Sequence, residues 1–160
     1  MILHIASAIG RAATELAAFD QALIGVGAAD FNLVRLSSVI PPGSTVVEST
    51  RRPHLEGATW GDRLYVVYAE QRVNTPGKEA WAGVGWVQDR DSGRGLFVEH
   101  EGDDERQVRN DINASLQDLQ NNRGVDFGPI RMQVIGAECQ ADPVCALVLC
   151  AYRSEPWPTP

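Results

Sequence analysis

Lysine is nearly missing from this 160-residue chain: Lys78 is the only one, and it lies in a turn-like Thr75-Pro76-Gly77-Lys78 segment. With no glycine-rich phosphate loop beside it, the sequence offers nothing to anchor pyridoxal phosphate, and no PLP is expected. Basic charge is scarce as well, 14 Lys and Arg against 21 Asp and Glu for a formal net charge of −7. That balance argues against nucleic acid, which wants a basic patch, and suits a cationic small molecule. The three cysteines, Cys139, Cys145 and Cys150, are odd in number and spaced six and five apart, which matches neither a zinc site nor a CxxC redox motif. They read as buried free thiols in a reducing compartment, and a cytoplasmic location is expected. His4, His54 and His100 are scattered, so no metal is expected. Long apolar runs are missing too. Met1–Ala8 is short, interrupted and without a basic start, so it reads as a first strand rather than a signal peptide or membrane span, and no membrane partner is expected.

What is present suits one soluble domain over residues 1–160, with 44% hydrophobic residues and no internal repeat. Periodicity places a strand near Ile2–Ala6, a helix over about Thr14–Val26 with Thr14 as N-cap, and a strand over Phe31–Ile40. A polar loop follows around Ser49–Gly61, then strands at Arg63–Ala69 and Ala80–Val87 and an apolar strand from Gly95 towards Glu99. Asp103-Asp104-Glu105 opens a second helix with an apolar stripe at Val108, Ile112, Leu116 and Leu119, closed by Asn121-Asn122-Arg123-Gly124. Arg131–Ala137 and Val144–Ala151 look like a closing pair of strands, and the proline-rich tail from Ser154 is loose or docked on a neighbour. The fold class is α+β.

Three windows carry chemistry. In Asn32-Leu33-Val34-Arg35-Leu36-Ser37-Ser38-Val39-Ile40-Pro41-Pro42-Gly43, two hydroxyls interrupt an apolar strand just before a rigid turn. A Ser-Ser peptide bond held on a stiff strand is one that its own side chain can attack; the plainer alternative is a strand end whose serines bond to nearby backbone. In a regular strand Asn32 and Ser38 share a face. In Leu16-Ala17-Ala18-Phe19-Asp20, followed by Ala22-Leu23, the residues Leu16, Phe19, Leu23 and Val26 give one buried stripe, with Asp20 at its rim. In Gly95-Leu96-Phe97-Val98-Glu99-His100-Glu101-Gly102, Glu99 shares a side with Phe97, opposite Leu96 and Val98.

Together these windows resemble the pyruvoyl-dependent arginine decarboxylases, with their Asn-Leu-[Val/Ile]-x-x-Ser-Ser-[Ile/Val]-x-Pro-Pro processing run, their Leu-x-Ala-Phe-Asp-x-Ala-Leu helix and their Glu-x-Glu-Gly strand end. The resemblance implies that Ser38 Oγ attacks the Ser37 carbonyl. The resulting ester eliminates to dehydroalanine and hydrolyses to a pyruvoyl group, leaving a β chain of residues 1–37 and an α chain of 38–160. It further implies Asn32 assisting processing, Asp20 gripping the substrate guanidinium through a forked pair of hydrogen bonds, and Glu99 donating the proton after carbon dioxide leaves. The implied reaction converts L-arginine to agmatine and CO2 through a Schiff base on the covalent pyruvoyl cofactor. The implied architecture is a four-layer α-β-β-α sandwich assembled as a homotrimer of αβ units, with dimers of trimers open, and active sites shared between subunits. The stretch Ala6–Glu15 departs from the family's glycine- and serine-rich run near the substrate. Two alternatives therefore stand: decarboxylation of another amino acid or an arginine derivative, and an uncleaved trimer that binds without catalysis.

Overall fold

Val144-Cys145-Ala146-Leu147-Val148-Leu149-Cys150-Ala151 is apolar on both alternating faces, the pattern of a strand covered on both sides. In the computed structural model, which describes residues 1–49 and 58–158, it forms the middle strand of a five-stranded sheet. In chain order the elements are β1 (Ile2–Arg11), α1 (Glu15–Val26), β2 (Asn32–Arg35), β3 (Val39–Ile40), β4 (Thr45–Glu48), β5 (Arg63–Val73), β6 (Glu79–Gln88), β7 (Gly95–Gly102), α2 (Glu105–Arg123), β8 (Arg131–Glu138) and β9 (Val144–Glu155). One sheet runs β2-β5-β9-β1-β4 and the other β3-β7-β6-β8. Antiparallel pairs predominate, with parallel pairing for β1–β4 and β2–β5.

The sheets face each other across a core built from Leu3 and Ile5, Val67, Val84 and Trp86, Phe97, and the Val144, Ala146, Val148, Cys150 side of β9. The opposite side of β9, Cys145, Leu147 and Leu149, packs under α1 with Ala18, Ala22 and Val26. Helix α2 covers the outside of the other sheet, setting Val108, Ile112 and Leu116 against Val87, Leu96 and Val98. This is the expected α+β sandwich of four layers, helix, sheet, sheet, helix.

Several elements differ from their sequence reading. β1 continues to Arg11, because β9 is long enough to pair with it up to Arg11↔Val144; most of the Ala6–Glu15 stretch is therefore strand. The supposed closing pair separates, β8 joining β6 and β9 lying between β5 and β1. The buried stripe of α1 is rotated. Leu16 is 68% exposed and the contact is made by Ala18, Ala22, Leu23 and Val26; where α1 comes closest to β1, beside Gly10, the helix presents the small residues Ala18 and Ala22. A Cβ on Gly10 would sit 1.9 Å from the Ala18 carbonyl oxygen. The tail docks on its own chain, Trp157 Nε1 donating to the Gly61 carbonyl at 2.9 Å with the Arg63 guanidinium 4.7 Å from its ring centroid. Of the predicted polar loop, residues 50–57 lie outside the described residues.

Candidate active site

The predicted strand over Phe31–Ile40 is not continuous, and the break falls at the serines. β2 pairs with β5 in the first sheet, and its last anchor is the Leu36 N–H donating to the Val66 carbonyl at 2.9 Å. β3 pairs with β7 in the second sheet. Ser37 and Ser38 thus form the step by which the chain leaves one sheet for the other. Two ladders fix the ends of a very short connection, and Ser38 absorbs the mismatch. Its φ is 68°, the only positive φ outside glycine among the described residues. A side chain in the left-handed region carries strain of roughly 1–2 kcal/mol.

Two bonds hold Ser38 and a third holds its neighbour. The Phe97 N–H donates to its carbonyl at 2.8 Å. Its Oγ donates to Glu99 Oε1 at 2.6 Å. One residue further on, the Tyr152 hydroxyl donates to the Val39 carbonyl at 3.1 Å. Tyr152 comes from the end of β9, with its ring edge-on to Phe97 at 6.2 Å between centroids. Burial pushes the Tyr152 pKa up, with Cys150 and Glu99 adding to the effect, so the hydroxyl keeps its proton and stays a donor. Sequence reading missed Tyr152. The available signal was a phenol closing an apolar strand, which needs a partner for its hydroxyl.

Glu99 is half-buried and its pKa is raised. Desolvation is the main cause; the Ser38 hydrogen bond, Arg35 and His100 oppose it, and Glu101 adds to it. Leu96 and Val98 turn towards α2 while Phe97 joins the core between the sheets, as the alternation predicted. Ser37, Ser38, Glu99 and His100 border a cleft of about 460 Å3 whose far wall is α2 at Ser115, Asp118 and Arg123. His100 Nε2 and Ser115 Oγ are 2.8 Å apart across it.

Asn32 and Asp20 are elsewhere. Because the strand breaks, parity does not carry from Asn32 to Ser38. The Asn32 amide donates to the Gly61 carbonyl at 2.6 Å and its N–H to the Asp62 carbonyl at 2.8 Å, on the first sheet. Asp20 is exposed on the outer side of α1, further from the buried face than a rim position. It borders a separate, largely apolar cleft of about 500 Å3 with Leu16, Phe19 and Leu23, which shares no residue with the Ser38 cleft.

A family model described as pyruvoyl-dependent arginine decarboxylase matches residues 2–155, nearly the whole chain. The chain belongs to this family. Among curated relatives, the pyruvoyl-dependent arginine decarboxylase of Halobacterium salinarum is 42% identical over 97 residues, 61% of this chain and 58% of that protein. Pyruvoyl-dependent arginine decarboxylase 2 of Archaeoglobus fulgidus is 36% identical over 99 residues, 61% of each chain. The enzyme of Methanococcoides burtonii is 34% identical over 119 residues, 71% of this chain and 64% of its own length. The chain thus spans about three fifths of the length of these relatives. For the family's pyruvoyl group the local chemistry fits: the strained Ser38 supplies the hydroxyl, and a half-desolvated carboxylate lies within reach of its proton.

Proposed function

We propose that this chain processes itself between Ser37 and Ser38 and then decarboxylates L-arginine to agmatine. The observation that carries the proposal is the Ser38 hydroxyl, 2.6 Å from Glu99, on a residue held at φ 68°. As a carboxylate, Glu99 accepts the Ser38 proton while Oγ attacks the Ser37 carbonyl carbon; the proton passes to the Ser38 nitrogen as the Ser37–Ser38 C–N bond breaks and an ester forms in its place. The Phe97 N–H and the Tyr152 hydroxyl keep the Ser38–Val39 segment fixed while the Ser37 side is released. Asn32 assists by pinning the start of β2 to Gly61, so that the segment ending in Ser37 cannot drift from the step. The pyruvoyl group, once formed from Ser38, supplies an electron-withdrawing carbonyl for loss of CO2. Glu99 then serves as the acid. Removal of the Ser38 hydroxyl takes away the hydrogen bond that lowered its pKa, and burial keeps the proton on the carboxyl until the product carbon needs it.

Asp20 holds the guanidinium of the substrate. Since it faces a different cleft from Ser38 in one chain, it acts on the Ser38 cleft of an adjacent copy in a homotrimer. The exposed Leu16 and Ile24 flanking it on α1 supply an apolar contact for that copy. Three free, buried cysteines and no described helix long and apolar enough to cross a membrane support a cytoplasmic enzyme. The test is an intact mass under denaturing conditions followed by CO2 release from arginine, ornithine and lysine. Two fragments meeting at Ser37/Ser38, with the larger lighter by ammonia than a serine-started piece, and turnover of arginine alone are expected. A chain that stays whole, or one that prefers ornithine, overturns the reading.

A further inference from the structure

At the end of the second sheet that carries the β6–β7 turn, level with the Phe97 that bonds the Ser38 carbonyl, three connections meet: the turn into β4, the β6–β7 turn and the approach to β8. They enclose a cavity of about 330 Å3 bordered by Ser44, Trp86, Asp89, Arg90 and Arg131, with no residue in common with the Ser38 cleft. The walls are fixed by short bonds. Gln88 Nε2 donates to the Ser44 and Gly93 carbonyls at 2.8 and 2.7 Å, and the Gly43 N–H to the Ser92 carbonyl at 2.7 Å.

Two polar atoms on this cavity's residues have no partner, Ser44 Oγ and Trp86 Nε1, although Ser44 is only 5% and Trp86 1% exposed. Buried donors are nearly always paired, and an indole N–H can only donate. Trp86 and Arg131 are register partners, so they share a face of the sheet. Neither Arg131 nor Arg90 has an ion pair or side-chain hydrogen bond among the described residues. Asp89 on the wall turns its Oδ1 to the neighbouring turn, where it accepts from the Ser92 N–H at 2.7 Å and the Ser92 hydroxyl at 2.6 Å. Two buried, unused donors and two exposed, unpaired guanidiniums on the residues bordering one cavity, in a chain of net charge −7, ask for acceptor oxygens carrying negative charge.

We infer that this cavity binds a small oxyanion, a carboxylate or phosphate group, between Trp86 Nε1, Ser44 Oγ and the guanidiniums of Arg131 and Arg90. The occupant braces the turn that follows Pro41-Pro42, the connector on which Ser38 is mounted.

The indole N–H signals of the four tryptophans, in 1H–15N spectra of the full chain, provide the test. Trp86 is assigned with Trp86→Phe. At constant ionic strength, inorganic phosphate and succinate are titrated separately, with chloride as control. The Trp86 signal is expected to move and saturate with at least one anion, the tighter of the two telling a phosphate from a carboxylate ligand. Arg131→Gln should weaken that binding about tenfold or more, as loss of a charge-assisted pair does. If Arg131→Gln lowers the melting temperature of the anion-free protein, the exposed Arg90→Gln carries the comparison. A Trp86 signal indifferent to both anions, or equal titrations in wild type and the usable arginine variant, overturns the inference and leaves the cavity to water.

Discussion

Ser38 and Glu99 are coupled through one hydrogen bond, so changing either residue alters the other. Ser38→Ala is expected to abolish cleavage and CO2 release together, and a mass spectrum showing two fragments at residue 37/38 would refute the role given to its hydroxyl. Because the Ser38 bond lowers the Glu99 pKa against burial, the same variant should raise that pKa further, read by carboxyl 13C shifts. The sign for stability follows from the direction. A glutamate raised above its ordinary value of 4.5 gives a contribution that is full below that value and is lost as pH rises through the folded pKa. Unfolding of the uncleaved protein should therefore lose stability across that window, and Glu99→Gln should flatten the loss. In the processed enzyme, kcat should fall as pH rises through the Glu99 pKa, since the deprotonated carboxyl cannot act as an acid; a profile rising over that range would remove Glu99 from the proton-donor role. Tyr152→Phe keeps the ring against Phe97 and deletes only the donor to the Val39 carbonyl. It should cost about 1 kcal/mol of stability and slow self-cleavage roughly tenfold. If cleavage proceeds at the wild-type rate, the Tyr152 bond is merely structural.

At the scale of elements, the break between β2 and β3 makes the site. Each half pairs with a different sheet, and the two-residue step carries the one strained non-glycine backbone among the described residues. The approach of α1 to β1 is the other decisive arrangement, because it sets where Asp20 is presented. Gly10→Ala would put a methyl 1.9 Å from the Ala18 carbonyl oxygen and 2.6 Å from the Ala22 nitrogen, both backbone atoms that can yield only if the helix moves. Overpacking of this kind costs about 1–3 kcal/mol. The expected result is a lower denaturant midpoint together with a raised KM for arginine, as Asp20 travels with the helix. Loss of stability with an unchanged KM would detach α1 from substrate binding.

At the scale of the whole molecule, one chain does not complete the proposed site, since Asp20 and Ser38 border different clefts. Co-expression of Asp20→Ala with Ser38→Ala should therefore restore part of the activity that each lacks alone, because mixed assemblies contain interfaces with both groups intact. No recovery in verified mixed assemblies would place Asp20 and Ser38 in the same chain's site. The sequence by itself determined the α+β class, both helices with the Thr14 cap and the acidic opening at Asp103-Asp104-Glu105, and, through the motifs of a family resemblance, the serine pair and Glu99 as candidates. Those features are written in local periodicity, capping chemistry and short motifs, which neighbouring residues impose without help from the rest of the chain. Only the tertiary structure decided that the Phe31–Ile40 stretch divides between two sheets, that Leu16 faces outward, that Asn32 bonds Gly61 and that the Tyr152 hydroxyl bonds the Val39 carbonyl. Each of those outcomes depends on which strands pair and how closely a helix approaches a sheet, and such contacts join residues far apart in sequence, where local pattern carries no information.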